Sequence, residues 1–148
     1  MKYHHSFIVR SPLAQVVAFH ARPDGMRVLT PPPIVVRVHR AAATIAEGEE
    51  MDFTLWLGPL PARWQARFSD VSSNGFTDQQ VRGPFEMWIH RHSFNTLDAQ
   101  HTQVEDHIEA RLRRHLLWLP VGLAMWAGMP FLFAYRTVRT RRVLEQRS

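Results

Sequence analysis

One stretch of alternating residues constrains the fold of this chain more than any other feature. From Trp88 to Phe94 every second residue is an aromatic or a histidine, namely Trp88, His90, His92 and Phe94. In a β-strand these four side chains share one face, whereas an α-helix would scatter them around its circumference. The pattern therefore predicts a strand with one apolar face that carries two histidines.

A second alternating run follows after a short polar segment, residues 95–101. Its members on one face are Thr102, Val104, Asp106 and Ile108. The polar segment predicts a hairpin loop between two antiparallel strands. Counting inward from a Phe94–Thr102 pair places His92 opposite Val104 and His90 opposite Asp106. Directly opposed side chains lie within about 5 Å at Cβ, so this register predicts a histidine–carboxylate pair on an apolar face.

Composition is that of an ordinary globular domain. The chain has 148 residues, of which 45% are hydrophobic and 21% charged, and we expect a single domain over residues 1–148. The absence of cysteine excludes disulfides and cysteine-ligated metal sites. The first residues contain no apolar run typical of a signal peptide, which favours a cytoplasmic location.

The net charge of +5 is concentrated at the C-terminal end of the chain. Between Arg136 and Arg147 there are five arginines and one acid, Glu145. Because the rest of the chain is near balance, a nucleic-acid groove is not expected. The basic segment is interpreted as a solvated helix end, with a peripheral contact to anionic lipid headgroups as the alternative. A homodimer is an alternative to the monomer.

Most of the remaining chain is predicted to be strand. A first strand covers residues 2–10. A short helix follows, with Ser11 as its N-cap and Pro12 at its first position, and it ends at residues 23–25. Alternating apolar residues then predict strands at 34–39, 50–58, 62–69 and 75–82.

The C-terminal third allows two interpretations. Twenty residues from Leu116 to Tyr135 carry no charge, which by length alone makes them a transmembrane candidate. The run is interrupted by two prolines and two glycines, namely Pro120, Gly122, Gly128 and Pro130. These residues argue against one continuous spanning helix. The favoured interpretation is a break near residues 120–122, followed by an amphipathic helix that packs on the sheet and extends to about Gln146. Membrane association through residues 116–135 is the alternative.

Several motifs carry a resemblance to a known superfamily. They are His20-Ala21-Arg22-Pro23-Asp24-Gly25, Leu29-Thr30-Pro31-Pro32, Gly58-Pro59-Leu60, Trp64, Phe76-Thr77-Asp78-Gln79, Gly83-Pro84-Phe85, the stretch from Trp88 to Phe94, Thr102 with Asp106, and Phe133-Ala134-Tyr135-Arg136. Together they resemble a bacterial ligand-binding branch of the START-like superfamily, which includes polyketide cyclases and dehydrases, coenzyme-Q-binding proteins and pollen-allergen relatives. The resemblance implies an α+β helix-grip fold, in which a curved antiparallel sheet wraps around a long C-terminal helix.

Such a fold implies a cavity between the sheet and the last helix. The expected ligand is a small apolar molecule of lipid, quinone or polyketide type, which the protein would carry or sequester. No cofactor is expected. The residues expected to bind the ligand are Phe53, Leu55, Trp64, Phe68, Trp88, His90, His92, Val104, Asp106 and Tyr135.

The pair of His90 and Asp106 has two interpretations. In the first, it is a buried polar pair in which each side chain provides the hydrogen-bond partner of the other, and it fixes the strand register. In the second, it is the general acid and base of a cyclase- or dehydrase-type enzyme. A metal site at His90 and His92 is not expected, because no third histidine or glutamate at strand spacing completes a ligand set.

Overall fold

In the computed structural model, which describes residues 1–146, the alternating segments form one antiparallel sheet in the order β1-β7-β6-β5-β4-β3-β2. Its seven strands are Lys2–Val9 (β1), Val35–Arg40 (β2), Glu50–Leu57 (β3), Leu60–Ser72 (β4), Gly75–Arg82 (β5), Phe85–Thr96 (β6) and Thr102–Leu112 (β7). Four helices lie within the same described range: Leu13–His20 (α1), Pro23–Val28 (α2), Trp118–Ala127 (α3) and Met129–Glu145 (α4). Arg147, the last residue of the predicted basic segment, lies outside the described residues.

The sheet buries the face that alternation predicted. Along β6, Trp88, His90 and Phe94 are buried, while Arg91 on the other face is exposed. Burial of aromatic surface at about 25 cal/mol per Å² stabilises this arrangement. The α+β helix-grip architecture predicted from the sequence is confirmed.

The register between β6 and β7 differs from the prediction by two residues. Phe94 lies opposite Val104, and His92, not His90, lies opposite Asp106. The reason is a tighter loop: β6 continues to Thr96, and the turn is closed by a 3.0 Å hydrogen bond from the Leu97 amide to the His101 carbonyl. A shift of two residues leaves every side chain on its predicted face.

The C-terminal run is broken at a different place from the one predicted. Pro120 lies in the first turn of α3, where a missing N–H costs nothing, so the predicted break at residues 120–122 is wrong. The break is at Gly128, which ends α3 and precedes Pro130 in the first turn of α4. Within residues 1–146 no single helix is long and apolar enough to cross a membrane. The pair α3 and α4 passes that test only together, and it is bent by 50°.

Helix α4 packs on the buried face of the sheet as predicted. Its buried residues recur at helical spacing: Met129, Phe133, Thr140 and Leu144. Polar contacts fix its outer side to β1, where the His5 ring lies 2.8 Å from the Thr137 hydroxyl and Arg141 donates to the Ile8 carbonyl over 3.0 Å. This placement leaves the middle of the sheet facing the helix across a gap.

Gly75 permits the close pairing of β5 with β6 beside His92. A Cβ atom at this position would overlap the main-chain carbonyl oxygen of His92. We expect Gly75→Ala to lower the free energy of unfolding by about 1–3 kcal/mol, because the strand must shift to relieve the overlap. Urea denaturation measures this change. Ser73→Ala, an exposed position in the same turn, is the control and should stay within about 0.5 kcal/mol of wild type. Equal stability of the two variants would contradict the close approach.

Candidate ligand cavity and its histidine–aspartate network

A cavity of about 580 Å³ lies between the sheet and helices α3 and α4. This volume is within the range of small-molecule sites. Its walls are mostly apolar, and aromatic side chains of four neighbouring strands contribute to them: Phe53 on β3, Trp64 and Phe68 on β4, Phe76 on β5 and Trp88 on β6. Trp64 stands edge-on to Trp88 at 5.4 Å and stacks with Phe53 at 6.0 Å between ring centroids. The tryptophan rings therefore form a wall and leave the cavity open.

Eight of the ten residues expected to bind a ligand line this cavity: Phe53, Leu55, Trp64, Phe68, Trp88, His90, His92 and Asp106. The other two, Val104 and Tyr135, are not among the lining residues. Val104 is buried in the core opposite Phe94, one residue pair beyond the polar end of the cavity. Tyr135 lies on another face of α4, since the lining residues of that helix are Met129, Leu132, Arg136 and Thr140, with Phe131 near its start.

Four side chains on three adjacent strands form what we call the histidine–aspartate network: Asp78 on β5, His90 and His92 on β6, and Asp106 on β7. His90 and Asp106 are buried, and Asp78 and His92 are half-buried. His90 Nε2 lies 2.8 Å from Asp106 Oδ1, and His92 Nε2 lies 2.8 Å from Asp78 Oδ2. His92 Nδ1 is also 3.2 Å from Asp106 Oδ1. Because Asp78 faces His90 and Asp106 faces His92 across the strands, both short hydrogen bonds run diagonally.

His92 is the cation of this network. Burial disfavours its charged form, but the interactions with Asp106 and Asp78 outweigh burial and raise the pKa of His92 to about 9. The same contacts hold the pKa of Asp106 well below its usual range and lower the pKa of Asp78, in each case against the effect of burial. Both carboxylates are therefore ionised, and His92 is an imidazolium held between them.

His90 differs from His92 in its protonation. Burial and the neighbouring charge of His92, whose ring centroid is 3.7 Å away, lower the pKa of His90. An ionised carboxylate only accepts hydrogen bonds, so the proton of neutral His90 lies on Nε2, which donates to Asp106. Its Nδ1 then carries a lone pair, 3.6 Å from Asp78 Oδ2. Of two histidines on one strand face, one is thus neutral and the other positively charged.

Arg136 on α4 completes the charge balance at this end of the cavity. Two ionised aspartates face one imidazolium and one guanidinium, which gives a net charge of zero. Asp106 and Asp78 act on Arg136 through their charges and oppose the lowering of its pKa by burial. The polar end of the cavity is therefore neutral as a whole, although it contains four ions.

Sequence analysis missed several polar residues that line the cavity, among them Asp78, Arg136, Thr140 and His20. Strand alternation could have found Asp78, because it is two residues from Phe76 on a predicted strand and therefore shares its face. Arg136 and Thr140 are one turn apart on the same helix face, which helical periodicity could have shown. His20 is held by a 2.8 Å bond between Nδ1 and the Val16 carbonyl, a contact that depends on where α1 ends.

The network also has the geometry of a possible metal site. Asp78, His90 and His92 each offer one ligand atom, and these atoms lie within 4.8 Å of one another. Asp78, which the sequence analysis did not consider, supplies the third ligand. A metal ion would have to displace a proton from His92, whose raised pKa opposes that exchange. The observed hydrogen bonds favour a proton network.

Solved structures share this architecture over nearly the whole chain. A START superfamily protein from Mycobacterium smegmatis matches with a TM-score of 0.72 at 9% identity, over 99% of each chain. The chain has the START-like helix-grip fold. The Zhui aromatase/cyclase from Streptomyces sp. R1128 matches with a TM-score of 0.69 at 17% identity, over 97% of this chain and 95% of its own.

A third solved structure belongs to a much longer chain. The nucleoside-diphosphate sugar epimerase from Corynebacterium glutamicum matches with a TM-score of 0.70 at 24% identity, and the match covers 97% of this chain but 29% of the epimerase. No family model and no curated protein matches the sequence. At these identities the comparisons show the fold alone.

The opposite pKa changes of His92 and His20 predict distinct NMR titrations. Burial lowers the pKa of His20 to about 4, so His20 should remain neutral at pH 5, whereas His92 should keep both ring nitrogens protonated at pH 8. Nitrogen-detected spectra of the histidine rings measure both in one sample. A neutral His92 ring at pH 7 would contradict the network as described.

Because the pKa of His92 is raised, the free energy of unfolding should decrease at alkaline pH. Between the ordinary pKa of 6.5 and the folded value of about 9, the folded state holds a proton on His92 that the unfolded state has lost. The contribution is complete below pH 6.5 and disappears as the pH rises through 9. We expect the free energy of unfolding to decrease across this window by at most about 1.4 kcal/mol per pH unit. Urea denaturation at several pH values tests it, and a flat profile would contradict the assignment.

Proposed function

We propose that the protein binds a small apolar molecule bearing an oxygen function in the cavity between the sheet and α4, and carries or sequesters it. The observation that carries the proposal is an apolar, aromatic cavity with polar groups gathered at one end. Such a distribution lets apolar surface supply affinity while a few polar groups fix orientation. A lipid, quinone or polyketide-like molecule fits this description.

The cavity has a mouth through which such a molecule can pass. Several lining residues are also exposed, and three of them mark its position: Pro32 before β2, Ala124 on α3 and Phe131 on α4. The bend at Gly128 separates the two helices on one side of this mouth. An apolar ligand entering here meets the aromatic wall first and the histidine–aspartate network at the far end.

Ala124 offers a direct test of this route. We expect wild-type protein to bind 1-pyrenebutanol, measured by energy transfer from tryptophan to pyrene. Ala124→Trp should weaken binding about tenfold, because a bulky side chain at the mouth obstructs the ligand and overpacking costs about 1–3 kcal/mol. Ala127→Trp is the matched control, since Ala127 is an exposed alanine of the same helix outside the lining. Equal affinities of the two variants would reject the proposed cavity function.

A second candidate function is cyclase- or dehydrase-type catalysis. The observation in its favour is the Nδ1 lone pair of neutral His90, whose opposite nitrogen is oriented by Asp106. A general base needs such a positioned acceptor. The similarity to an aromatase/cyclase supports this candidate at the level of the fold.

Asp106→Asn separates the two functions, because it keeps the shape of the side chain and removes its charge. If His90 is catalytic, turnover of a poly-β-ketone substrate should fall at least about 100-fold while pyrenebutanol affinity changes less than about twofold. Glu109→Gln on the other face of β7 is the control and should retain full turnover. Absence of turnover by wild type, or survival of turnover in Asp106→Asn, would reject the enzymatic candidate and leave the carrier function.

The location and the assembly of the protein stay predictions. A cytoplasmic location, a peripheral contact of the basic segment with membrane and a homodimer are each compatible with a carrier of apolar molecules.

A further inference from the structure

Helix α4 brings one guanidinium group into the apolar cavity without giving it a protein partner. Arg136 is half-buried and lines the cavity, and no hydrogen bond or salt bridge joins it to any described residue. Its Nε atom is fully shielded and also lacks a partner within the described part of the chain. Its close contact is the ring of Phe133, 5.1 Å from the guanidinium carbon. Aromatic contact holds the group in place and leaves its N–H donors unused.

The two aspartates of the network do not accept hydrogen bonds from the N–H groups of Arg136. Asp78 and Asp106 influence Arg136 through their charges, but neither forms a salt bridge with it, and both bind the histidines of the network instead. A shielded guanidinium without hydrogen-bond partners is costly, since charged donors lose their hydration on burial. A ligand acceptor that reached the group would remove this cost.

A second unpartnered donor lies on the same helix face. Thr140 is four residues beyond Arg136 and lines the same cavity, and its buried hydroxyl has no hydrogen-bond partner among the described residues. Residues at this spacing are neighbours along a helix. The other arginine of the lining, Arg22, is different: its side chain is 63% exposed and lies 3.8 Å from Asp24.

We propose that the ligand of this cavity carries a carboxylate, and that Arg136 binds it. This inference rests on the proposed cavity function and deepens it, by narrowing the ligand from an oxygen-bearing apolar molecule to an apolar monocarboxylic acid. The planar guanidinium matches a carboxylate with two parallel hydrogen bonds. A phosphate would bring a second negative charge beside Asp78 and Asp106, so a monoanion suits the site better.

The first experiment compares two probes that share one apolar skeleton, 1-pyrenebutanoate and 1-pyrenebutanol. Wild-type protein should bind the carboxylate at least about tenfold more tightly than the alcohol, because hydrogen bonds to charged groups contribute about twice as much as neutral ones. Energy transfer from tryptophan to pyrene measures both affinities at pH 7 and at one fixed salt concentration. Equal affinities, or a preference for the alcohol, would overturn the inference while leaving the cavity function standing. If neither probe binds, the cavity function itself fails.

Variants of α4 then assign the preference to one residue. Arg136→Met should reduce carboxylate affinity about tenfold and change alcohol affinity less than about twofold, since it removes the donors and keeps an unbranched side chain. Arg139→Met is the matched control. Arg139 lies on the same helix and its Nε is also buried without a described partner, but it does not line the cavity. The same loss in both variants would overturn the assignment to Arg136.

Arg136→Lys supplies a second variant that keeps the charge. We expect it to retain part of the preference for the carboxylate, because an ammonium group attracts the anion but cannot form the bidentate pair. Complete retention would show that charge alone selects the ligand and would overturn the bidentate contact. Because the comparison of the two probes uses wild-type protein, the inference remains testable even if Arg136→Met does not fold.

Discussion

The hydrogen bonds between two histidines and two aspartates are the constraint on which the rest of the structure depends. They cross three strands on the buried face, where an unpaired carboxylate would be strongly destabilising. Removing one partner from such a buried ionic group typically costs about 3–5 kcal/mol, so the network fixes the alignment of β5, β6 and β7. It also sets the charge states that any ligand meets: an imidazolium at His92, a neutral ring at His90 and two carboxylates.

The cavity exists because the apolar residues of the sheet and of α4 do not fill the space between them. Trp64 and Trp88 meet edge to face at 5.4 Å, which keeps their rings against the sheet. The bend at Gly128 directs α3 away from the axis of α4 and leaves a mouth beside Ala124. One curved sheet and one bent pair of helices thus produce the apolar walls, the neutral cluster of ions and the shielded guanidinium.

Much of this arrangement follows from residue alternation, and the part that does not has specific physical causes. Period-two patterns placed His90, His92 and Asp106 on one face correctly, because a strand allows only two faces. The predicted contact of His90 with Asp106 forms, but as a diagonal pair. The residue directly opposite each histidine was predicted incorrectly, because loop closure at Leu97 and His101 decides the register and depends on backbone hydrogen bonds.

The C-terminal helices show a second kind of limit. Pro120 suggested a break, yet a proline in the first turn of a helix is well tolerated, and the break falls at Gly128 instead. Tyr135 was expected in the cavity and lies on another face of α4, whereas Arg136, its neighbour, faces the ligand space. The rotation of a helix about its axis depends on packing against the sheet, here through Phe133 and Met129, and a single sequence specifies it weakly.

The central claim is that an apolar ligand occupies the space between α4 and the aromatic wall of the sheet. The most direct test is an NMR titration of the five tryptophan indole N–H signals with 1-pyrenebutanol. Trp64 and Trp88 line the cavity, whereas Trp56, Trp118 and Trp126 lie outside its lining. The account predicts saturable shifts of the Trp64 and Trp88 signals with little change at the other three. Shifts confined to Trp56, Trp118 or Trp126 would place the ligand on the surface and contradict it.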